Sequence, residues 1–248
     1  MRHARLGFSL LACGLIMAAT VAPSLADEAP MSNVVMPPGK KYKFYFKAPT
    51  ITLDRCMQRE GGVAGLRDMR PRVSRRFDVP ASQELALAVH AVGVQIYKCV
   101  EHKWKFYGPA ANLYCGKDES SPVVGKHLAL ENDDLLHLTG TAPIWHLYSD
   151  ANPQHSLYFI KNNPVVKLRA PKALGPVQNV AWLRVPAILR KNFHRDELLS
   201  PFSYVQRVFT SGGGDWASKS LPDCVDGATQ ASRYEATYLF YEPKPKEE

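Results

Sequence analysis

Short runs of alternating or β-branched apolar residues, separated by proline and glycine turns, fill the sequence from residue 78 onward. The turns include Gly108-Pro109, Asn152-Pro153 and Gly175-Pro176, and the 19 prolines of the chain leave little room for long helices. We therefore predict an all-β (mainly β) fold, an antiparallel β-sandwich or barrel-like single domain with few short helices. The candidate strands are residues 85–100, 103–107, 112–115, 123–130, 135–139, 144–148, 156–160, 165–168, 180–185, 204–210 and 234–241, and the best helical candidate is 187–199.

The segment before this domain, residues 27–77, has two parts of different character. Residues 41–47 read KYKFYFK, and this strict alternation predicts one half-buried strand. Residues 55–77 carry seven arginines against two acids, and glycines and a proline interrupt any regular element. We interpret this Arg-rich segment as a loosely docked basic connector. It could contact an anionic surface, in a salt-sensitive way, through Arg67, Arg70, Arg72, Arg75 and Arg76.

The net charge of +8 is unevenly distributed along the chain. Residues 78–248 carry 18 basic and 18 acidic side chains, so the β domain is neutral. Most of the excess therefore belongs to residues 55–77, and the total charge does not indicate an anionic partner for the domain itself. The charged, proline-containing tail, residues 244–248, is expected to fray.

Residues 1–26 have the three-part plan of a secretory signal peptide. Arg2 and Arg5 precede a long apolar run, and small residues lead up to Ala26. Cleavage after Ala26 predicts an exported protein, either periplasmic or secreted. The alternatives are an uncleaved membrane anchor and a lipid anchor at Cys13. No later run is long and apolar enough to span a membrane, so we expect no transmembrane segment in the mature chain.

Cleavage would leave four cysteines, Cys56, Cys99, Cys115 and Cys224. An even number of cysteines in an exported protein predicts two disulfides, with free buried thiols as the alternative. Four cysteines allow three pairings, and the residues alone do not choose among them. The absence of any C-x-x-C spacing disfavours a zinc ribbon or a thioredoxin-like site.

Motifs of known catalytic chemistry are missing from the sequence. It contains no G-x-S-x-G, S-x-x-K or H-E-x-x-H motif and no P-loop. The histidines at 127, 137 and 146 could converge on a metal only from neighbouring strands. We interpret them as scattered surface or hydrogen-bonded residues, and we predict no metal and no cofactor. An exported chain without a recognisable binding module is also not expected to bind nucleic acid.

Several short motifs of the β domain follow one another in a fixed order. They are G-V-Q-I-Y-K-C at residues 93–99, P-A-A-N-L at 109–113, V-G-K-H at 124–127, P-I-W at 143–145, Y-V-Q-R-V-F-T-S-G-G at 204–213 and Y-E-A-T-Y-L-F-Y at 234–241. Together they resemble the exported bacterial and fungal domain-of-unknown-function family numbered 3455, over residues 78–243. The resemblance implies export and a mainly-β domain, and it attaches no activity.

The same resemblance bears on the cysteines and on the spacing of one motif. Cys99 and Cys224 match the common cysteines of the family, which favours a disulfide between them and leaves Cys56 for Cys115. The family usually has only a few residues between the histidine and the tryptophan of its middle motif. Here 17 residues separate His127 from Trp145. Any site that uses both side chains would therefore have a changed geometry.

The polar and aromatic members of these motifs are our candidates for ligand binding. Glutamines on apolar strands are either buried with full hydrogen bonding or turned into a site. Arg207 could bind an anionic group, pair with an interior carboxylate or brace carbonyl groups, and the aromatic residues could stack on a ligand or fill the core. The six candidates are Gln95, Tyr97, His127, Trp145, Gln206 and Arg207.

Three functions remain open at this level. We predict first a non-catalytic β domain that binds an envelope or extracellular component. The first alternative is an envelope-polymer hydrolase or lyase that uses His127 as general acid or base and Arg207 as anion stabiliser. The second alternative is a structural surface or stress-associated protein without a small ligand. No residue is assigned a catalytic role under the first prediction.

Overall fold

A computed structural model gives the architecture of the chain. It describes residues 33–40, 42–59, 71, 73–130, 142–148, 156–161, 165–171, 178–188, 202–214 and 224–245. Several predictions lie outside the described residues: the leader 1–26, the strand 135–139, positions 189–199 of the helical candidate, Arg67, Arg70 and Arg72. Arg75 and Arg76 are described, and both are exposed.

The described chain is built almost entirely from antiparallel strands, as predicted. Among the described residues, ten strands form one sheet, and the helical structure consists of one α-helix, α1 (Leu53–Arg59), and a 3-10 turn at Arg75–Phe77. The strands are β1 (Val34–Met36), β2 (Gln83–Val100), β3 (Lys103–Tyr114), β4 (Val123–Leu130), β5 (Ala142–Tyr148), β6 (Ser156–Lys161), β7 (Val166–Leu168), β8 (Trp182–Ile188), β9 (Tyr204–Gly212) and β10 (Thr229–Pro243).

Eight of these strands close the sheet on itself. The pairing runs in the order β10, β2, β3, β4, β5, β6, β8 and β9, and β9 pairs back onto β10. The two short strands lie outside this ring, β1 beside β10 and β7 beside β8. The arrangement is therefore the barrel-like form of the predicted fold. Closure matters for function because it creates an interior, enclosed by side chains of alternate residues.

One end of this interior is filled with apolar side chains. The core there includes Leu87, Val89 and Leu113 from the walls, and it receives Leu53 and Cys56 from α1. α1 therefore plugs this end, and backbone hydrogen bonds from residues 50 and 51 to the carbonyl of residue 123 dock the chain just before it. Burial of this apolar surface fixes which residues of each strand point inward.

The outer face of the sheet is covered in two places by chain that precedes β2. Phe77 of the 3-10 turn packs among Leu85, Trp182 and Leu239. Tyr42, Phe44 and Phe46 pack against a second patch on β2, β3 and β10. Because of these contacts, residues on both faces of the sheet are buried, and the strands lack a clean polar–apolar alternation.

Four details of the predicted secondary structure are wrong. Residues 42–47 alternate in burial as expected but have no ladder partner, so they form an extended cover, and the short strand of this region is β1. Gly108-Pro109 lies inside β3, beside a bulge where a proline without an N–H is tolerated. Ala187 and Ile188, which begin the predicted helix, end β8 instead. In addition, α1 occupies the start of the segment in which no regular element was expected.

The four cysteines form the two disulfides favoured by the resemblance. Cys56 pairs with Cys115 and joins α1 to the end of β3. Cys99 pairs with Cys224 and joins the end of β2 to the chain that enters β10. Beside this second bond, β2 turns into β3 through Glu101 and His102, both with positive φ, as a two-residue hairpin requires.

Candidate functional site

The interior of the closed sheet is hollow at the end opposite α1. The cavity there has a volume of about 350 Å³, which is within the usual range for small-molecule sites. Its walls come from β2, β3, β4, β5, β8, β9 and β10, and its mouth carries the half-exposed ring of Phe106. Five of the six predicted site residues line it: Gln95, Tyr97, His127, Trp145 and Arg207.

His127 and Trp145 form the aromatic wall of this cavity. They are register partners on β4 and β5, so both side chains point to the same side of the sheet. Their ring centroids are 4.5 Å apart and their planes differ by 8°, which is a parallel stack. The ring of Tyr238 meets both of them edge-on, 5.1 Å from His127 and 5.4 Å from Trp145. The long insertion between the two motif residues therefore leaves them in direct contact.

His127 is held as a neutral imidazole. Its Nδ1 lies 2.7 Å from the carbonyl oxygen of Ile144, so Nδ1 carries the proton and donates, and Nε2 is left as an acceptor. Burial lowers the pKa of His127 to about 3, and the nearby positive charge of Arg207 acts in the same direction. His127 therefore contributes shape and an acceptor atom to the cavity, without charge at neutral pH.

Arg207 brings a positive charge into the same interior. Its Nε and Nη2 both donate to the carbonyl oxygen of Ala181, at 3.1 and 2.8 Å. These bonds hold the guanidinium group against the chain that enters β8. Burial raises the pKa of the neighbouring Tyr238 hydroxyl, although the charge of Arg207 partly opposes this effect, so the phenol is un-ionised at neutral pH.

A crossing segment, residues 178–181, closes one side of the cavity. Asn179 bridges to Gly213, and the Tyr97 hydroxyl donates to the carbonyl oxygen of Gly213 at 2.8 Å. Gly213 has a φ of +79°, and a Cβ there would lie 2.6 Å from the Cβ of Tyr234 and 3.0 Å from the Cγ of Gln95. The glycine is therefore required for this close approach.

Two buried donors in the cavity wall form no hydrogen bond of normal length and angle among the described residues, although the hydroxyl groups of Tyr234 and Tyr238 interact with them. They are Nε2 of Gln95 and Nε1 of Trp145, and the two side chains belong to residues that are only 1% and 4% exposed. Buried donors are nearly always paired, because an unpaired one costs about 1–3 kcal/mol. Both side chains line the cavity, so an occupant with acceptor atoms is the available partner.

Gln206, the sixth predicted residue, lies on the other face of β9. Its Nε2 donates to the carbonyl oxygen of Phe77 at 2.7 Å, and its Oε1 accepts from the Tyr241 hydroxyl at 2.6 Å. Both functional atoms are thus used on the outer face, where Nε2 holds the 3-10 turn and Oε1 meets β10. Adjacent residues of a strand point to opposite faces, which is why Gln206 and Arg207 separate.

Other cavity residues were not singled out from the sequence. Lys167, Leu183 and Arg207 are register partners across β7, β8 and β9, so their side chains share the inner face. Lys167 lies in a short strand without a distinctive motif, and Leu183, an apolar residue beside Trp182, gives no sign of a role in a site. The signal that could have found them is the strand register itself, which depends on the closed pairing and is not visible in the sequence.

The described residues contain no cluster of three or more His, Cys, Asp or Glu side chains that could hold a metal ion. In the same part of the chain, no helix has the length and apolar character needed to cross a membrane.

Comparison with known proteins agrees with the motif resemblance. Searches of curated proteins and of solved structures found no match to this chain. One family, described as "Protein of unknown function (DUF3455)", matches residues 80–242. The matched stretch runs from the approach to β2 through nearly all of β10, so it includes every strand of the closed ring. The chain belongs to the DUF3455 family.

Proposed function

We propose that this protein is a non-catalytic binding protein that holds a small amphipathic molecule in the hollow end of its closed sheet, opposite α1. The observation that carries the proposal is the cavity of about 350 Å³, whose wall holds two buried donors that form no hydrogen bond of normal geometry among the described residues. The walls offer a stacked aromatic surface together with Gln95 and Arg207, the mixture of apolar area and few polar groups typical of ligand sites. The natural ligand would be an envelope or extracellular component.

Two features favour binding over the alternatives. A general acid or base works best with a pKa near the working pH, and a pKa of about 3 makes His127 a poor one at neutral pH. Its Nδ1 proton is also committed to the Ile144 carbonyl. In a purely structural protein this cavity would only lower stability, because larger side chains that filled it would add stability.

Binding can be tested with the uncharged fluorescent probe N-phenylnaphthylamine. We expect its emission to rise and saturate at one probe per molecule of the disulfide-bonded protein, because the probe enters an apolar cavity. Leu183→Phe adds volume inside the cavity and should weaken probe binding at least about tenfold, since a filled site excludes its occupant.

The matched control is Leu168→Phe, which adds the same side chain on the outer face, where Leu168 packs near Trp182. It should leave probe binding unchanged. An unchanged affinity in Leu183→Phe, or no emission rise with the original protein, would remove the case for an interior site. Thermal melting of both variants establishes that they are folded when they are compared.

We also propose that the protein is exported and that its leader is removed after Ala26. The two disulfides support this proposal, since such bonds persist in oxidising compartments. Intact-mass measurement of the protein recovered outside the cytoplasm should give a chain that begins at Asp27, with both disulfides formed. Recovery of a chain that still begins at Met1 would contradict cleavage, and a mass increased by lipid would support the Cys13 anchor instead.

A further inference from the structure

Arg207 is a half-buried cation with no carboxylate beside it in the described part of the chain. Its partners are the neutral carbonyl of Ala181 and the un-ionised hydroxyl of Tyr238, and none of the ion pairs between described residues includes it. A guanidinium group withdrawn from water normally has a carboxylate or phosphate partner, because removing the charge from water costs several kcal/mol. The carboxylate or phosphate that would pair with Arg207 is therefore not a side chain of the described residues.

The cavity as a whole is positive. Its lining contains Arg207 and Lys167, and it includes no Asp or Glu among the described residues. Lys167 is exposed and points to the same face as Arg207, with Leu183 between them in register. The charge of Arg207 thus lies within the cavity, and the charge of Lys167 lies on the solvent side. This distribution attracts an anion and orients its charged group toward β9.

Two other polar groups of the wall are donors. Gln95 Nε2 and Trp145 Nε1 form no hydrogen bond of normal geometry among the described residues, so acceptor atoms of an occupant would complete their bonding. His127 adds no charge, because its imidazole is neutral at the working pH. An occupant with several acceptor oxygens and a negative charge would satisfy Arg207 and both donors, whereas a cation or a donor-rich sugar would not.

The shape of the wall indicates the body of this occupant. The stacked rings of His127 and Trp145 form one flat side, and Pro109, Leu183 and Val185 provide apolar surface elsewhere. Flat aromatic walls favour planar ligands, which stack on them or meet them edge-on. The volume of about 350 Å³ accommodates a one-ring or two-ring molecule and excludes a polymer chain within the cavity.

We propose that the cavity binds a small planar organic anion, whose carboxylate pairs with the guanidinium group of Arg207 and whose flat apolar body lies against Trp145. This inference rests on the proposed function, since it names the chemical class of the ligand for the same cavity. Arg207 then has two roles, because it braces the Ala181 carbonyl with one edge and meets the carboxylate with its remaining donors.

The test uses two ligands of equal shape and different charge, cinnamate and cinnamamide. Both are titrated calorimetrically into the full disulfide-bonded protein at low salt, and both are tested for displacement of N-phenylnaphthylamine. We expect cinnamate to bind at least about tenfold more tightly than cinnamamide, because a charge-assisted pair is stronger than a neutral hydrogen bond. Cinnamate should also displace the probe.

Two variants test whether the preference for cinnamate over cinnamamide comes from Arg207. Arg207→Gln keeps a donor for the Ala181 carbonyl but removes the charge, and it should reduce the cinnamate-to-cinnamamide ratio to near one. Arg233→Gln makes the same change on the outer face, where Arg233 pairs with Glu235, and it should leave the ratio unchanged. Should Arg207→Gln fail to fold, the ratio measured with the original protein still decides the proposal.

The outcomes separate this inference from the proposed function. If the neutral probe binds and cinnamamide equals cinnamate, the anion inference is overturned while interior binding stands. The inference is also overturned if Arg207→Gln keeps the full preference for cinnamate. If neither the probe nor either ligand binds, both proposals fall together.

Discussion

We expect acidification to destabilise this protein more than it destabilises the variant His127→Gln. In the unfolded chain a histidine takes up its proton near pH 6.5, whereas in the folded protein burial holds the pKa of His127 at about 3. Between these values the unfolded state binds the extra proton, so stability falls as the pH decreases. Each pH unit between the two pKa values lowers the free energy of unfolding by about 1.4 kcal/mol. The total loss is therefore about 5 kcal/mol once the pH reaches 3.

The measurement is urea unfolding of the original protein and His127→Gln at neutral pH and at about pH 4. The original protein should lose about 3 kcal/mol more than the variant over this interval, because its unfolded state gains a proton that the variant cannot take up. Carboxylates and the other histidines titrate in both proteins and cancel in the comparison. Equal losses would show that His127 accepts a proton without leaving its place between Ile144 and Trp145.

Loss of the Cys56–Cys115 disulfide is expected to cost about 4 kcal/mol of unfolding free energy. The bond closes a loop over a sequence separation of 59 residues, and the entropy lost by the unfolded chain grows slowly with this length. In the folded state both cysteines are buried where α1 plugs the interior. Breaking the bond therefore frees the unfolded chain and loosens the attachment of the plug.

The double variant Cys56→Ser/Cys115→Ser tests this expectation in urea unfolding, without reducing agent. Cys99→Ser/Cys224→Ser is the matched comparison, since it removes the bond outside the ring and leaves the α1 plug attached. Hydrogen exchange should show faster exchange at α1 in the first variant and not in the second. A loss below about 1 kcal/mol in the first variant would mean that the contacts of Leu53 hold α1 without the covalent bond.

The strands were largely predictable from local pattern because runs of apolar and β-branched residues are bounded by turns rich in proline, glycine and asparagine. The bounds of β4 agree residue for residue, and β2, β5, β6 and β7 agree to within two residues. The errors occurred where tertiary contacts override local preference. Gly108-Pro109 has the composition of a turn, yet it continues β3 because a bulge accommodates the proline.

The candidate site was predictable in its members and not in its geometry. Five motif residues line one cavity, yet nothing in the motifs indicates that Gln206 faces the opposite way from Arg207 and holds Phe77. Strand alternation predicts that the two neighbours separate, but it does not tell which of them faces inward. Which of the two neighbours faces inward depends on which apolar side chains the closed sheet buries.

Composition, apolar runs and the order of motifs along the chain are enough to predict the all-β class, the cysteines available for disulfides and the family. Only the three-dimensional fold closes the sheet, plugs one end with α1 and leaves the other end hollow. It also placed Lys167, Leu183 and Arg207 on one inner face, far apart in the chain and joined only by register. The physical reason is that pairing between distant strands is set by the burial of all of them together.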